Sequence, residues 1–317
     1  MDKENLTVFN EFILMGITNH PELQAPFFGL FLIIYMVSLL GNLGIIILTE
    51  VDSRLQTPMY FFLKHLAFID LGNSTAVGPK MLVNFVAIQN IIPYNWCATQ
   101  LAFIIFFVLN ELYILAAMAY DHYVAICNPL LYTVIMSKRV CWVLVVIPSL
   151  YTVSLSLVTT IKIFISSFCG NNVISHFYCD SLPLLTLICS STREIELIIL
   201  IFSAFTFVSS LLIILVSYIL ILLAILRMNS AEGRSKAFST CGSHLTVVVV
   251  LYGTLFFMYG QPKSSHSFDT DKMTSLFSTL VIPMLNPIIY SLRNTEVKVA
   301  MWRIWENLCK RLISSPI

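Results

Sequence analysis

The sequence predicts an all-α membrane protein, a bundle of seven transmembrane helices followed by an amphipathic helix on the membrane surface. Of its 317 residues, 58% are hydrophobic and only 11% are charged, whereas a soluble domain carries about a quarter charged residues. Five long runs contain no Asp, Glu, Lys or Arg: Phe27–Leu48, Val140–Ile161, Leu197–Leu226, Ala237–Gln261 and Met273–Leu292. Each run is long enough to cross the hydrocarbon of a bilayer as a helix, which takes about 20 residues.

Two further apolar runs bring the number of spans to seven. Met59–Met81 and Cys97–Tyr120 are interrupted by a few charged residues but stay mainly apolar. Helices are predicted because backbone polar groups in lipid must be satisfied within the segment, and the alternation typical of a barrel strand is absent. The spans are predicted near residues 25–49, 58–81, 96–121, 140–161, 197–226, 237–260 and 273–292. Residues 1–24 then form an N-terminal tail, and residues 293–317 form a C-terminal segment.

Basic residues predict which end of the bundle faces the cytosol. Twelve of the 18 Lys and Arg residues fall on the side that holds the C-terminus, and six fall on the other. The richer side is cytoplasmic by the positive-inside bias, so we expect an extracellular N-terminus. Asn5 lies on that outer side in the sequon Asn5-Leu6-Thr7, and is predicted to be glycosylated.

The segment after Arg293 has the pattern of an amphipathic helix. Val297, Ala300 and Ile304 belong to an apolar stripe with i, i+3, i+4 spacing, flanked by basic residues. Such a helix lies on the inner leaflet. Cys309 within it is a candidate for palmitoylation.

Four of the eight cysteines fall in outer segments: Cys97, Cys169, Cys179 and Cys189. An even set in an oxidising compartment predicts disulfides, and four cysteines allow three pairings. Spacing does not choose among the three, and free buried thiols are the alternative.

Five short stretches are more diagnostic than the number of spans. They are Gly41-Asn42, Pro58–Leu63 (PMYFFL), Met118–Cys127 (MAYDHYVAIC), Lys236–Leu245 (KAFSTCGSHL) and Pro283–Tyr290 (PMLNPIIY). Together they resemble the signatures of olfactory receptors, a branch of the rhodopsin-like G-protein-coupled receptors. The resemblance covers nearly the whole chain, with one departure, because olfactory receptors usually carry Arg where this chain has His122.

The resemblance implies an odorant receptor of the plasma membrane. It would bind a small, volatile, mostly apolar ligand within the bundle, activate a stimulatory heterotrimeric G protein and raise cyclic AMP. The resemblance also implies the disulfide pairs Cys97–Cys179 and Cys169–Cys189. It assigns coupling to the G protein to residues at the cytoplasmic ends of the helices: Asp121, His122, Tyr123, Tyr218, His244, Asn286, Pro287 and Tyr290. Because imidazole is shorter than guanidinium and largely neutral at cytosolic pH, we expect His122 to pair weakly with Asp121.

The ligand site is expected among helix faces in the outer half of the bundle. These faces carry aliphatic and aromatic side chains with a few hydroxyls, which suits a small neutral ligand. Helix packing alone can produce the same stripes. The candidates are Ile104, Ile105, Val108, Leu109, Leu112, Phe202, Ser203, Thr206, Tyr252, Leu255, Phe256, Tyr259, Leu276 and Thr279.

Two carboxylates, Asp70 and Glu111, fall within predicted spans. A charged group there costs about 3 kcal/mol on insertion scales, so such residues usually face the bundle interior and pair. One hypothesis is a shared cation site, with sodium as the ion and Asn42 and Asn286 nearby. The alternative is a pair of protonated acids that hydrogen-bond to neighbouring amides and hydroxyls.

Other classes of function are less well supported. A net charge of +1 argues against a nucleic-acid partner, and the sequence lacks the His-Glu-x-x-His and Gly-x-Ser-x-Gly motifs of common enzymes. A transporter or channel that uses Asp70 and Glu111 is the alternative to a receptor, although matching interrupted repeats are not seen.

Overall fold

A computed structural model describes residues 10–18, 20–169, 171–228, 230–260, 268–293, 296–300 and 302–303. Its α-helices are α1 (Pro21–Val51), α2 (Pro58–Val86), α3 (Tyr94–Cys127), α4 (Tyr132–Ile135), α5 (Lys138–Phe164), α6 (Ser181–Leu185), α7 (Arg193–Leu226), α8 (Ala231–Gly260), α9 (Phe268–Leu276) and α10 (Ile282–Arg293). Three short strands are β1 (Glu11–Leu14), β2 (Ile91–Pro93) and β3 (Val173–Ile174). A π-helical turn, Phe277–Val281, joins α9 to α10.

Six of the predicted spans each lie within one helix, and the seventh, residues 273–292, runs through α9, the π-helical turn and α10. By length and composition, α1, α3, α5, α7 and the segment Lys272–Ser291 are apolar enough to cross a membrane. Helix α8 has a shorter apolar stretch, Cys241–Phe257. Helix α2 has 29 residues but carries three charged side chains. The predicted fold class, a seven-helix membrane bundle, is confirmed.

Helix α3 lies at the centre of the bundle, against α2, α5, α7 and α8. Close approach depends on small residues, as is usual between helices in lipid. A Cβ added at Gly72 would overlap the ring of Phe107 on α3. A Cβ added at Gly41 would lie 2.9 Å from Cγ of Pro287, which explains a glycine where α1 meets α10.

A small sheet covers one end of the bundle, called the outer end below. The sequence pattern does not predict it. Its strand order is β2-β1-β3, with Phe12 opposite Ile92 in an antiparallel pair and Ile13 opposite Val173 in a parallel pair. Phe12 and Leu14 are buried while their neighbours are exposed, the alternation of a half-buried strand. Residues 11–14 were predicted only as part of a tail.

Two disulfides hold the same end. Cys97 at the start of α3 pairs with Cys179, and Cys169 pairs with Cys189 within the loop between α5 and α7. The Cα–Cα distances are 5.5 and 5.6 Å, in the range usual for disulfides. Both pairs implied by the family resemblance are confirmed.

The opposite end, called the inner end below, carries α4 and the start of the C-terminal segment. Val297 and Ala300 are buried against the bundle, and the Tyr60 hydroxyl donates to Glu296 Oε2 at 2.7 Å. The rest of the predicted surface helix, with Cys309, lies outside the described residues, as does the sequon at Asn5.

Candidate functional site

A cavity of about 90 Å³ lies inside the outer half of the bundle. Its walls come from α3, α5, α7, α8 and the π-helical turn, and its roof comes from residues 178, 180 and 181. Drug-sized ligands occupy pockets of roughly 300–1,000 Å³. The cavity therefore suits a very small ligand, or it widens when a larger one enters.

Half of the predicted ligand residues line this cavity. Helix α3 supplies the largest group, because its residues at i, i+1, i+4 and i+5 share one face. The predicted residues found there are Ile104, Ile105, Val108, Leu109, Ser203, Leu255 and Thr279.

Two predicted residues face outward instead. Phe202 is 42% exposed and Phe256 is 71% exposed, on the surface that meets lipid. Each is adjacent in sequence to a residue of the cavity, Ser203 or Leu255, and one residue turns a helix by about 100°. The expectation that these two rings line the pocket is therefore corrected.

The other predicted ligand residues are buried away from the cavity. Leu112 lies in the central core, and Leu276 packs in a cluster with Phe177 and Tyr178. The Thr206 hydroxyl donates to the carbonyl of Phe202, and the Tyr252 hydroxyl donates to Ser210 Oγ at 2.7 Å. The side chain of Tyr259 lies outside the described residues.

Several cavity residues were missed by the sequence reasoning. The roof is formed by Tyr178, Asp180 and Ser181, and the neighbouring Cys179 could have revealed it, since its pairing with Cys97 fixes this loop over α3. Ser278 was missed because a π-helical turn leaves no clear signal in the sequence. Leu155, Thr159 and Ile199 complete the missed set.

The two buried carboxylates meet at one amide. Asn286 Nδ2 donates to Asp70 Oδ2 at 2.9 Å and approaches Glu111 Oε1 at 3.4 Å. Asn42 Nδ2 donates to the carbonyls of Ser38 and Pro283, so it links α1 to α10. Among the described residues, Oδ1 of Asp70 and Oδ1 of Asn42 are buried without a hydrogen-bond partner. Oxygen atoms of this kind are the ligands that small, hard cations prefer.

A second polar cluster joins three helices nearer the inner end. His244 on α8 is fully buried, with the Tyr218 hydroxyl of α7 at 2.7 Å from Nδ1 and the Leu115 carbonyl of α3 at 3.0 Å from Nε2. The simplest assignment has Tyr218 donating to Nδ1 and Nε2–H donating to Leu115. One imidazole thus connects α3, α7 and α8.

His122 packs beside this cluster rather than against Asp121. Its ring centroid lies 5.3 Å from that of His244. Asp121 Oδ1 instead accepts a hydrogen bond from the Tyr132 hydroxyl of α4 at 2.8 Å. Burial, followed by the charge of Asp121, raises the pKa of the Tyr132 phenol, so this phenol stays protonated and donates.

The remaining predicted coupling residues also lie toward the inner end. Tyr123 and Tyr218 both pack against a buried cluster between α7 and α8. Pro287 meets Gly41. Tyr290 is 6% exposed, and within the described part of the chain its hydroxyl has no partner.

This seven-helix bundle, with a roofed cavity at one end and polar helix contacts toward the other, has the fold of a rhodopsin-like receptor. Squid rhodopsin superimposes with a TM-score of 0.67 over 96% of this chain and 93% of its own, at 17% identity. The family model for olfactory receptors matches residues 31–308. The chain belongs to the olfactory receptor family.

Several olfactory receptors are similar to this chain over nearly its whole length. Human olfactory receptor 8K3 is 72% identical over 98% of this chain and 99% of its own. Human olfactory receptor 8K5 is 64% identical over 97% of this chain, and mouse olfactory receptor 8U3 is 58% identical over 95%. Members of the family are membrane receptors and not enzymes, as predicted, and the transporter alternative gains no support.

Proposed function

We propose that this chain is an odorant receptor that binds a small, mostly apolar volatile in the roofed cavity and activates a stimulatory heterotrimeric G protein, which raises cyclic AMP. The observation that carries the proposal is the cavity itself, which has aliphatic walls and six hydroxyl-bearing side chains and lies beneath a disulfide-bonded loop. A ligand that prefers the conformation with an open inner end shifts the population toward it.

An apolar surface at the inner end supports a protein partner there. Leu130 is 95% exposed, Leu131 is 55% exposed and Val134 is 71% exposed, all in the short segment between α3 and α5. In the same segment Tyr132 bonds Asp121 at the end of α3. A G protein that covers these side chains would therefore contact the residue that holds Asp121.

Chemistry at the two ends supports the proposed orientation. Disulfides persist in oxidising compartments, which supports an extracellular outer end. The basic residues are concentrated on the other side, which agrees with a cytoplasmic inner end. The proposed location is the plasma membrane, with the N-terminus extracellular.

The ligand proposal is tested with a cyclic-AMP reporter in cells that express the receptor, screened against a panel of volatiles. Val108→Phe adds a ring inside the cavity, and we expect it to weaken potency at least about tenfold, by about 1.4 kcal/mol. Val249→Phe makes the same change on the exposed face of α8, where Val249 is 67% exposed, and should leave potency unchanged. Equal potency of Val108→Phe and wild type, or no response to any volatile from surface-expressed receptor, would overturn the proposal.

We also propose that Asp70 and Glu111 share a sodium ion, with Asn42 and Asn286 nearby. The buried oxygens of Asp70 and Asn42 that lack partners among the described residues support an ion there. The test is the dependence of signalling on sodium concentration. Asp70→Asn removes one charge at the same volume, and any sodium response of the wild type should disappear. An unchanged sodium response in this variant would remove the claim.

A further inference from the structure

We propose that small apolar ligands reach the cavity from the bilayer, through a seam between α8 and the π-helical turn, and not through the roof. This inference rests on the proposed function, since it concerns the same cavity. Its basis is a second hollow, called the lateral groove below, on the lipid-facing side of the same two segments. The lining of the lateral groove includes Val250, Gly253, Thr254, Phe257, Met273 and Phe277.

The lateral groove and the cavity lie on neighbouring faces of the same backbone. On α8, Thr254 lines the lateral groove and the next residue, Leu255, lines the cavity. On the π-helical turn, Phe277 lines the lateral groove and the next residue, Ser278, lines the cavity. Consecutive residues of a helix point about 100° apart. The seam where α8 packs against the π-helical turn is therefore a short way from one hollow to the other.

The lateral groove suits a neutral apolar molecule that is dissolved in lipid. Phe257, Met273 and Phe277 are all exposed on the surface that meets lipid, and the volume of the lateral groove is about 720 Å³. Among the described residues that line it, none is charged, and the Thr254 hydroxyl donates to the carbonyl of Val250 at 2.7 Å. An apolar volatile can therefore occupy the lateral groove, whereas a charged molecule would lose its hydration there at a large cost.

Gly253 leaves space in the lateral groove that helix packing does not explain. A Cβ added at Gly253 would have no neighbour within 4 Å among the described residues. A glycine inside a helix costs about 0.5–1 kcal/mol relative to alanine, and contact with a neighbouring helix does not require it here. The space that it leaves between α8 and α9 is available to a small molecule.

The π-helical turn is the side of the seam that can shift. Its defining bond joins the Ile282 N–H to the carbonyl of Phe277, five residues back. The hydroxyls of Ser278 and Thr279 both donate to the carbonyl of Ser275, at 3.0 and 2.8 Å. Such turns are frequent at functional sites, and serine and threonine side chains satisfy backbone groups that a local rearrangement frees in lipid. The roof, in contrast, is tied to α3 by a disulfide.

The test measures how fast the receptor responds, in rapidly perfused cells that carry an energy-transfer sensor of G-protein activation. The probe is the most potent neutral volatile of the panel, applied at its half-maximal concentration. Gly253→Trp places a ring in the lateral groove, and we expect onset and washout each to slow at least about fivefold. The half-maximal concentration should change by less than about twofold, because Kd is the ratio of the exit and entry rates and an obstacle slows both.

Phe277→Ala should change the rates in the opposite direction. It removes a ring beside the seam, at a position that is 38% exposed, so onset and washout should both become about threefold faster. Loss of helix stability alone would not accelerate entry and exit together at an unchanged half-maximal concentration.

Val249→Trp is the matched control for Gly253→Trp. It adds the same ring to α8 at a residue that is 67% exposed and lies outside the lateral groove. Both rates should stay at their wild-type values.

Two results with Gly253→Trp would overturn the inference. Unchanged rates at normal surface expression would exclude the seam as the route, while the proposed function stands because the volatile still signals. A loss of potency with a faster washout would show a binding site and not a passage. Where Gly253→Trp does not reach the cell surface, wild-type rates in Phe277→Ala would remove the inference. If no volatile activates receptor that is present at the surface, the proposed function itself fails, and the inference fails with it.

Discussion

The two ends of the bundle are held in different ways. At the outer end, two disulfides and a three-stranded sheet fix the rim, while aliphatic side chains make up half of the residues that line the cavity beneath. Toward the inner end, single hydrogen bonds join the helices, such as Tyr218 to His244 and Tyr132 to Asp121. Covalent bonds do not exchange on the timescale of signalling, whereas single hydrogen bonds do.

This difference indicates that the outer end holds the ligand site and that the inner half changes conformation. A ligand can be accommodated by the apolar walls without disturbing the rim. The polar contacts of the inner half are discrete, so they can be made or broken as a unit when the helices separate. Substitutions at one end or the other test this difference separately.

The largest effect is expected from the rim. Cys179→Ser removes the link to Cys97, which closes a loop across a sequence separation of 82 residues. Loss of such a link costs between about 3 and 5 kcal/mol, so surface expression measured by flow cytometry should fall to near background. Cys141→Ala, at a free and buried thiol in the inner half, should retain most of its surface signal. Normal surface expression of Cys179→Ser would show that the sheet holds the rim without this disulfide.

A second variant tests the packing of α2 against α3. Gly72 on α2 leaves room for the end of the Phe107 ring on α3, which an added Cβ would overlap. Gly72 is close in sequence to Asp70, and Phe107 is close in sequence to Glu111. Gly72→Ala would displace this ring, and overpacking of this kind costs about 1–3 kcal/mol. We expect a lower midpoint of thermal unfolding in purified receptor.

Gly253→Ala provides the comparison for that measurement. A Cβ at Gly253 has no neighbour within 4 Å among the described residues, and Ala is the better helix former by up to about 1 kcal/mol. Its midpoint should stay level or rise. If both alanine variants behaved alike, helix propensity rather than ring contact would govern this layer.

The third variant restores the usual family residue at the inner end. His122 packs on His244, while Asp121 is held by Tyr132. In His122→Arg the guanidinium can reach Asp121 with a charge-assisted bond, which is stronger than a neutral one. We expect basal cyclic AMP to fall about fivefold at equal surface expression, which corresponds to about 1 kcal/mol in favour of the closed state. His122→Gln, which adds no charge, should stay near wild type, and identical dose–response curves for His122→Arg and wild type would count against the idea.

The helices could be predicted from the sequence, but the contacts between them could not. Each long apolar run of the sequence is helical in the structure, because lipid leaves few other solutions for such a run. Hydropathy could not orient a helix that is apolar all round, so Phe202 and Phe256 were placed in the pocket although they face outward. The bond between Asp121 and Tyr132 depends on how α4 folds back toward α3, and the strand β1 depends on partners 80 and 160 residues away along the chain. Neither is encoded in local pattern.

The last effect, no larger than the previous one, is expected from pH at His176, which lies two residues before the roof residue Tyr178. His176 is 3% exposed, and among the described residues neither of its ring nitrogens has a hydrogen-bond partner. Burial, followed by the charge of Lys272, lowers the pKa of His176 to about 3. The unfolded chain, with a pKa near 6.5, binds more protons between these values, so stability is complete above about pH 7.5 and is lost as the pH falls through 6.5. At pH 5.5, one unit below the unfolded pKa, the loss should be about 1 kcal/mol.

The measurement is the thermal unfolding midpoint of purified receptor at pH 7.5 and 5.5. His176→Phe keeps a ring of similar size and removes the titrating group, so the difference between the two midpoints should shrink. His20→Phe removes a histidine whose side chain is 71% exposed, and this variant should keep the wild-type difference. If His176→Phe also kept it, the acid sensitivity would arise elsewhere, and the roof would be as insensitive to protons as the disulfides that hold it.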